Sequence, residues 1–205
     1  MTSYHNRFKR EWLFEAPMST GPSAHNPYDD LVSAVNNNIE AGNTPVTLAN
    51  SLKKLVIGNQ VTYWLEHDNT VDIITQFEQK ANGLFVELTG KRPGANIYAS
   101  DFYQMVLNDA KQLIFSGDVL SDQGFGIWNK LFASGRKLFV YNTSNTDQSQ
   151  TINSVADLEN YLSNSPEFTK YRFVLSESAK QHSYVQTSFD LLKTYNLTFN
   201  LKGLT

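Results

Sequence analysis

The chain has 205 residues, with 17 Lys and Arg against 20 Asp and Glu for a formal net charge of -3, and it has no cysteine. Its 40% hydrophobic and 13% aromatic content is too rich for a chain that stays unfolded for want of apolar groups, and the length suits one domain with a small appendage. The missing cysteines exclude disulfide frameworks, thiolate zinc sites and cysteine nucleophiles; no run of about 20 apolar residues offers a membrane span; and the negative charge opposes broad nucleic-acid binding, which rests on phosphate neutralisation.

Residues 1–27 read as an arm and linker: a basic, aromatic piece from Arg7 to Phe14, then Pro17, Gly21, Pro22 and Pro27, which interrupt regular structure. Residues 28–205 read as a single domain. A helix is expected from Tyr28 to about Ile39, with Asp29 and Asp30 at the positive end of its dipole, Leu31, Val32, Val35 and Ile39 on one stripe, and Gly42 as its stop. Thr44-Pro45 predicts a second helix through Leu48, Leu52 and Leu55, because proline suits the first helical position and the leucines recur at helical intervals.

The β-branched and aromatic stretches 60–66, 70–78 and 84–89 follow. They are separated by turns at His67-Asp68-Asn69 and at Asn82-Gly83, and together predict an antiparallel meander. Thr89 to Asn96 (TGKRPGAN) is a loop, and Ser100 caps a helix with apolar positions Phe102, Met105, Val106, Ala110 and Leu113. Past a break at Gly117-Asp118, Ser121 or Asp122 opens a helix with Ile127, Trp128, Leu131 and Phe132, stopped by Gly135. A strand at Leu138 to Tyr141 and a polar loop from Thr143 to Thr151 come next. Ser154 with Asp157 then forms a capping box for a helix through Leu158, Tyr161 and Leu162. A strand at Tyr171 to Leu175, a helix from Ser178 to Tyr195 and a strand at Leu197 to Leu201 complete the pattern. The class is α/β (α+β), a single mixed, largely antiparallel sheet with helices on both faces.

In Ser121 to Gly126 (SDQGFG), Gly124 and Gly126 stand at the opening of a helix, where small residues let backbone N–H groups and the helix dipole approach a phosphate. This spacing, the order of elements, and Asn153, Ala156 and Tyr161 further on resemble the GNAT family of acyl-CoA-dependent N-acyltransferases. The resemblance implies a GNAT-like fold that transfers an acyl group from acetyl-CoA to a small-molecule or protein amine. Gly124, Phe125, Gly126 and Asn153 would bind the coenzyme, Glu87 on the third meander strand would act as general base, and Tyr161 would protonate the leaving thiolate.

The chain departs from the family pattern at three points. Ser121 stands where the family prefers Gln or Arg, and the spacing from Asn153 to Tyr161 is one residue long. In the family the strand bearing the base also runs directly into the glycine loop, whereas here the helix from Ser100 intervenes.

Each of these residues also has a plain structural reading. Gly124 and Gly126 suit an ordinary helix start, Glu87 alternates with Val86 and Leu88 and so faces solvent, and the Tyr161 ring packs beside Leu158. Lys91-Arg92 in the TGKRPG loop either contacts a phosphate or is solvated. His5, His25, His67 and His182 are too far apart in sequence for a helical metal site, so no metal is expected. The second functional class is a non-enzymatic binding or assembly protein, such as a component of a viral or phage particle or a host-interaction module, on a GNAT-like or other α/β scaffold. The expected setting is soluble and cytoplasmic, or the virion if the source is viral. Nucleic acid and membrane are not expected as partners, and the N-terminal arm is the place for a protein partner.

Overall fold

A computed structural model describes residues 26–117, 122–142, 150–163 and 171–176. The expected arm over residues 1–25, the Ser178 to Tyr195 helix and the Leu197 to Leu201 strand lie outside the described residues.

Helix α1 (Tyr28–Glu40) forms where Asp29 and Asp30 occupy its first turn and buries Tyr28, Leu31 and Val35, one turn apart. Gly42, at φ 95°, and Asn43 close it: their N–H groups reach the Ile39 and Asn38 carbonyls. The second expected helix is not formed. Its place is taken by β1 (Val46–Thr47), a 3-10 turn at Ala49–Ser51 and β2 (Leu52–Ile57). Gly58, at φ 61°, and Asn59 turn the chain in two residues, pairing Ile57 with Gln60 and Leu52 with Leu65 of β3 (Gln60–His67). Leu52 and Leu55, which a helix would put on one face, are thereby sent to opposite faces: Leu52 packs with Val61 and Tyr63, and Leu55 packs with Leu31 and Trp64 under α1.

Strands β3, β4 (Thr70–Lys80) and β5 (Gly83–Lys91) form the expected meander. Asp68 and Asn69, at φ 48° and 57°, make the first turn, where two positive φ values match the twist of a tight hairpin. Two residues are skipped in the pairing. Asp72 falls between Glu66↔Val71 and Leu65↔Ile73, and Glu87 falls between Phe77↔Val86 and Gln76↔Leu88. Each is the extra residue of a β-bulge, a device that re-aims a side chain.

Helix α2 (Ala99–Ala110) leads from β5 into β6 (Ile114–Phe115), and α3 (Asp122–Ala133) leads to β7 (Leu138–Asn142). A short β8 (Gln150–Thr151), α4 (Val155–Ser163) and β9 (Tyr171–Leu175) follow. Gln150 and Thr151 thus belong to a strand paired with Val140 and Phe139 and not to the polar loop expected there. The capping box is formed as read: Asp157 N–H donates to Ser154 Oγ at 3.1 Å, and Ser154 N–H donates to Asp157 Oδ2 at 2.9 Å.

Among the described residues there are nine strands in one open mixed sheet, ordered β1-β2-β3-β4-β5-β6-β9-β7-β8, and four helices. Every neighbouring pair is antiparallel except β5 and β6, which are parallel. The main core joins Tyr63, Ile73 and Phe77 to Phe102, Tyr103, Val106 and Leu107 of α2, Phe125, Trp128 and Leu131 of α3, and Phe173 of β9. Burying each such side chain contributes about 1.5–3 kcal/mol.

Candidate functional site

The parallel pair marks the place where the sheet opens. β5 and β6 are in register only at Leu84↔Ile114 and Phe85↔Phe115, with Leu84 N–H donating to the Leu113 carbonyl at 2.9 Å. Beyond Phe115 the chain follows β9 instead. Ser116 N–H donates to Phe173 O at 2.8 Å, and Phe173 N–H donates to Ser116 Oγ at 3.0 Å. β5 runs on to Lys91, and among the described residues no strand pairs with that edge from Val86 to Gly90. A strand edge without a strand partner presents main-chain donors and acceptors to whatever lies beside it.

The loop that follows is pinned at its base. The bulge in β4 turns Asp72 toward Arg92, whose Nη2 donates to Asp72 Oδ1 at 2.5 Å while its main-chain N–H donates to the Asp72 carbonyl at 2.9 Å. The hydrogen bond to Asp72 is the main reason the guanidinium pKa is raised. Asn26 Nδ2 donates to the Lys91 carbonyl at 2.9 Å. Gly90 lies so close to α1 that an added Cβ would sit 2.5 Å from Tyr28 Cα. Past this anchor, Gly94 turns the chain at φ 79° with open space around it, and Pro93, Gly94, Asn96 and Tyr98 are exposed.

Helix α2 starts one residue earlier than the expected serine cap. Tyr98, in extended conformation, holds the N-cap position without a side-chain cap bond, and its carbonyl accepts from Asp101 and Phe102 N–H. Ser100 is therefore inside the first turn. It is 4% exposed, and its Oγ has no hydrogen-bond partner. An unsatisfied buried hydroxyl costs roughly 1–3 kcal/mol, so its presence at a helix N-terminus, where N–H groups and the dipole favour an anion, is informative. Lys91 of β5 and Lys130 of α3 both reach the 49% exposed Tyr98 ring, Lys91 Nζ at 6.0 Å from its centroid and Lys130 Nζ closer and directly over it.

The residues singled out from sequence fall in two other places. Gly124, Phe125 and Gly126 lie within α3 and not in a loop: Gly124 is buried, Phe125 is fully buried edge-on to Phe173 at 5.7 Å, and Gly126 has open space where a Cβ would stand. Asn153 is exposed, its N–H donating to Asp157 Oδ2 at 2.9 Å and its Nδ2 to the Thr151 carbonyl at 3.2 Å. Tyr161 on α4 is half-buried, with ring contacts to Tyr171 at 4.9 Å and Phe173 at 6.3 Å; burial is the main reason its phenol pKa is raised.

Phe125 and Tyr161 are brought together by Phe173, while Glu87 stands apart. Glu87 is exposed on the bulge of β5, where Gln76 Nε2 donates to its Oε2 at 2.7 Å. Gln76 alternates with Thr75, which bonds toward Tyr103 through Thr89, so Glu87 and Tyr161 are on opposite faces of the sheet. Ser100, Tyr98, Lys130 and Asp72 carry no motif. The signal for them was the Lys91-Arg92 pair in a Gly and Pro loop immediately after a strand.

Among the described residues no three His, Asp or Glu side chains gather as a metal site, and no helix is long and apolar enough to cross a membrane. Comparisons with family models, with curated proteins and with solved structures find no match for this chain.

Proposed function

We propose that this chain is a GNAT-like, acyl-CoA-dependent N-acyltransferase whose coenzyme lies at the open edge of β5 and the N-terminus of α2, not at Gly124 and Gly126. The observation that carries this reading is the parallel β5 and β6 pair, in register for two residues and open on the side where α2 begins. The resemblance implies a base-bearing strand that runs directly into the coenzyme loop, and the loop directly after Glu87's strand is Arg92 to Tyr98. Supporting it further, α1 packs with Trp64 and Ile74 while α2 packs with Tyr63, Ile73 and Phe77, the division expected if helices cover both faces.

In this reading the positive end of the α2 dipole and Ser100 Oγ favour the pyrophosphate. The main-chain groups along Val86 to Gly90 line up the extended arm of the coenzyme as a neighbouring strand would. Glu87, solvent-accessible and oriented by Gln76, takes the proton from the attacking amine. The leaving-thiolate role does not move with the loop, because the helix after β6 is α3 (DQGFGIWNKLFA), which has no tyrosine.

That absence, together with the packed ring of Tyr161, favours a second reading in which the scaffold binds an acyl-CoA-like ligand without turnover. Titration with acetyl-CoA and CoA separates the outcomes. Ligand at about 100 times its Kd adds about 2.7 kcal/mol to stability, and no thermal shift at millimolar ligand overturns both readings. A shift without thiol release from acetyl-CoA in the presence of amines selects the second. If turnover is seen, Glu87→Gln should lower it roughly 100-fold or more with the thermal shift retained.

A further inference from the structure

We infer that the face of β6, β9 and β7 turned away from α3 and α4 is the docking surface for the chain's own residues 178–195, the amphipathic stretch that follows β9. The inference is independent of the coenzyme reading.

Its basis is a buried row that no described helix covers. The register sets Phe85, Phe115, Val174 and Phe139 side by side across β5, β6, β9 and β7. The Phe85 and Phe115 rings stack with centroids 4.3 Å apart, Phe115 and Val174 are fully buried, and Phe139 is 6% exposed. All four lie on the face opposite the main core, because their chain neighbours Leu84, Ile114, Leu138, Val140 and Phe173 pack toward the helices of that core. The row spans three inter-strand spacings, about 14 Å. α1 lies on the same face as the row, but it packs with Leu55, Trp64 and Ile74 of β2, β3 and β4, and among the described residues no helix adds a side chain to the row's cluster. These exposures are those of a single chain, so the cover belongs to the chain itself.

Position selects the segment. Val174 lies close to the end of β9 at Leu175, so the chain that continues past Ser176 leaves the sheet beside the row. Residues 143–149 and 164–170 join β7 and β9 at the opposite end, where Asn142 pairs with Tyr171. Residues 118–121 lead into α3 and so to the other face, and the arm joins at Asn26, which bonds to Lys91 at the far end of β5 from Phe85. The sequence pattern agrees. Val185, Phe189, Leu192 and Tyr195 recur at three- and four-residue intervals, with Gln186, Asp190 and Lys193 between them. A helix over 178–195 would be about 27 Å long, enough to cross the row.

Because the chain has no cysteine, one introduced thiol reports one position. Val174→Cys places it in the row and Val140→Cys places it in the main core; both positions are fully buried, so labelling of the full chain by a thiol reagent should be slow at each. Adding Phe189→Ala with Leu192→Ala should speed labelling at position 174 roughly tenfold or more while changing position 140 by no more than about twofold. Trp12→Ala with Phe14→Ala in the arm should change neither. Fast labelling at position 174 without further substitution, no acceleration there, equal acceleration at both positions, or acceleration by the arm substitutions instead would each overturn the inference. None of these outcomes bears on the coenzyme reading, which acetyl-CoA titration tests separately.

Discussion

Along one edge β5 pairs with β4 from Gly83 to Lys91, whereas along the other it meets β6 only at Leu84 and Phe85. The same residues therefore belong to a closed antiparallel ladder on one side and to an opening on the other. The difference arises in connection length. A two-residue turn at Ala81 and Asn82 holds β4 to β5, but β6 arrives after a loop and all of α2 and then goes with β9. Short connections fix antiparallel neighbours, and a parallel neighbour needs a crossover that leaves room at the end where the helix begins. A candidate ligand site is thus a by-product of how one strand is shared.

The strongest way to break this contrast is at the short joint itself. Gly83 has φ 151°, and a Cβ there would lie 2.3 Å from the Leu113 carbonyl oxygen, so Gly83→Ala must disturb the pairing of β5 with β6. A loss of about 3 kcal/mol is expected in urea unfolding. A value near zero would mean that the two-residue pairing does not constrain the fold.

A smaller effect is expected on the closed side. Thr89 Oγ1 is 3.0 Å from Thr75 Oγ1 and 2.8 Å from the Tyr103 hydroxyl, a buried chain of hydroxyls that ties β4, β5 and α2 together. Thr89→Val keeps the shape but removes both of these hydrogen bonds, at a cost of about 1–3 kcal/mol. Coenzyme affinity should fall with it if α2's placement matters to the site.

Smallest is a change remote from β5. Ser154→Ala removes the hydroxyl that receives Asp157 N–H and should cost about 1 kcal/mol without altering ligand binding. The Asp157 carboxyl is held below its ordinary value of 3.8, first by the Asn153 N–H and then by Ser154. Its contribution is present above that ordinary value and is lost as pH falls through the lower, folded one. An acid titration of Asp157→Asn should lack that part of the acid limb.

How much of this was legible follows from where the information lies. The meander was readable because β-branched residues and the Asp68-Asn69 and Asn82-Gly83 turns are local signals, and so was the Ser154 and Asp157 box. β2 was misread because Leu48, Leu52 and Leu55 fit a helical period that only the pairing with β3 overrides. β6 was missed because Ile114 and Phe115 are too few to show any period. Without β6, the next helix start with glycines along the chain is at Gly124, whereas in the assembled sheet the loop directly after β5 is Arg92 to Tyr98. Ser100 and Lys130 become notable only once α2, α3 and β5 are assembled.

The hydrogen bond from Asn26 to the Lys91 carbonyl has a practical side. It fixes the position of Asn26, beside the residue that precedes Arg92 and near the exposed Gly94 turn. Asn26 is therefore a position at which a reporter would sense changes in the loop, and one to leave unmodified when affinities are to be measured.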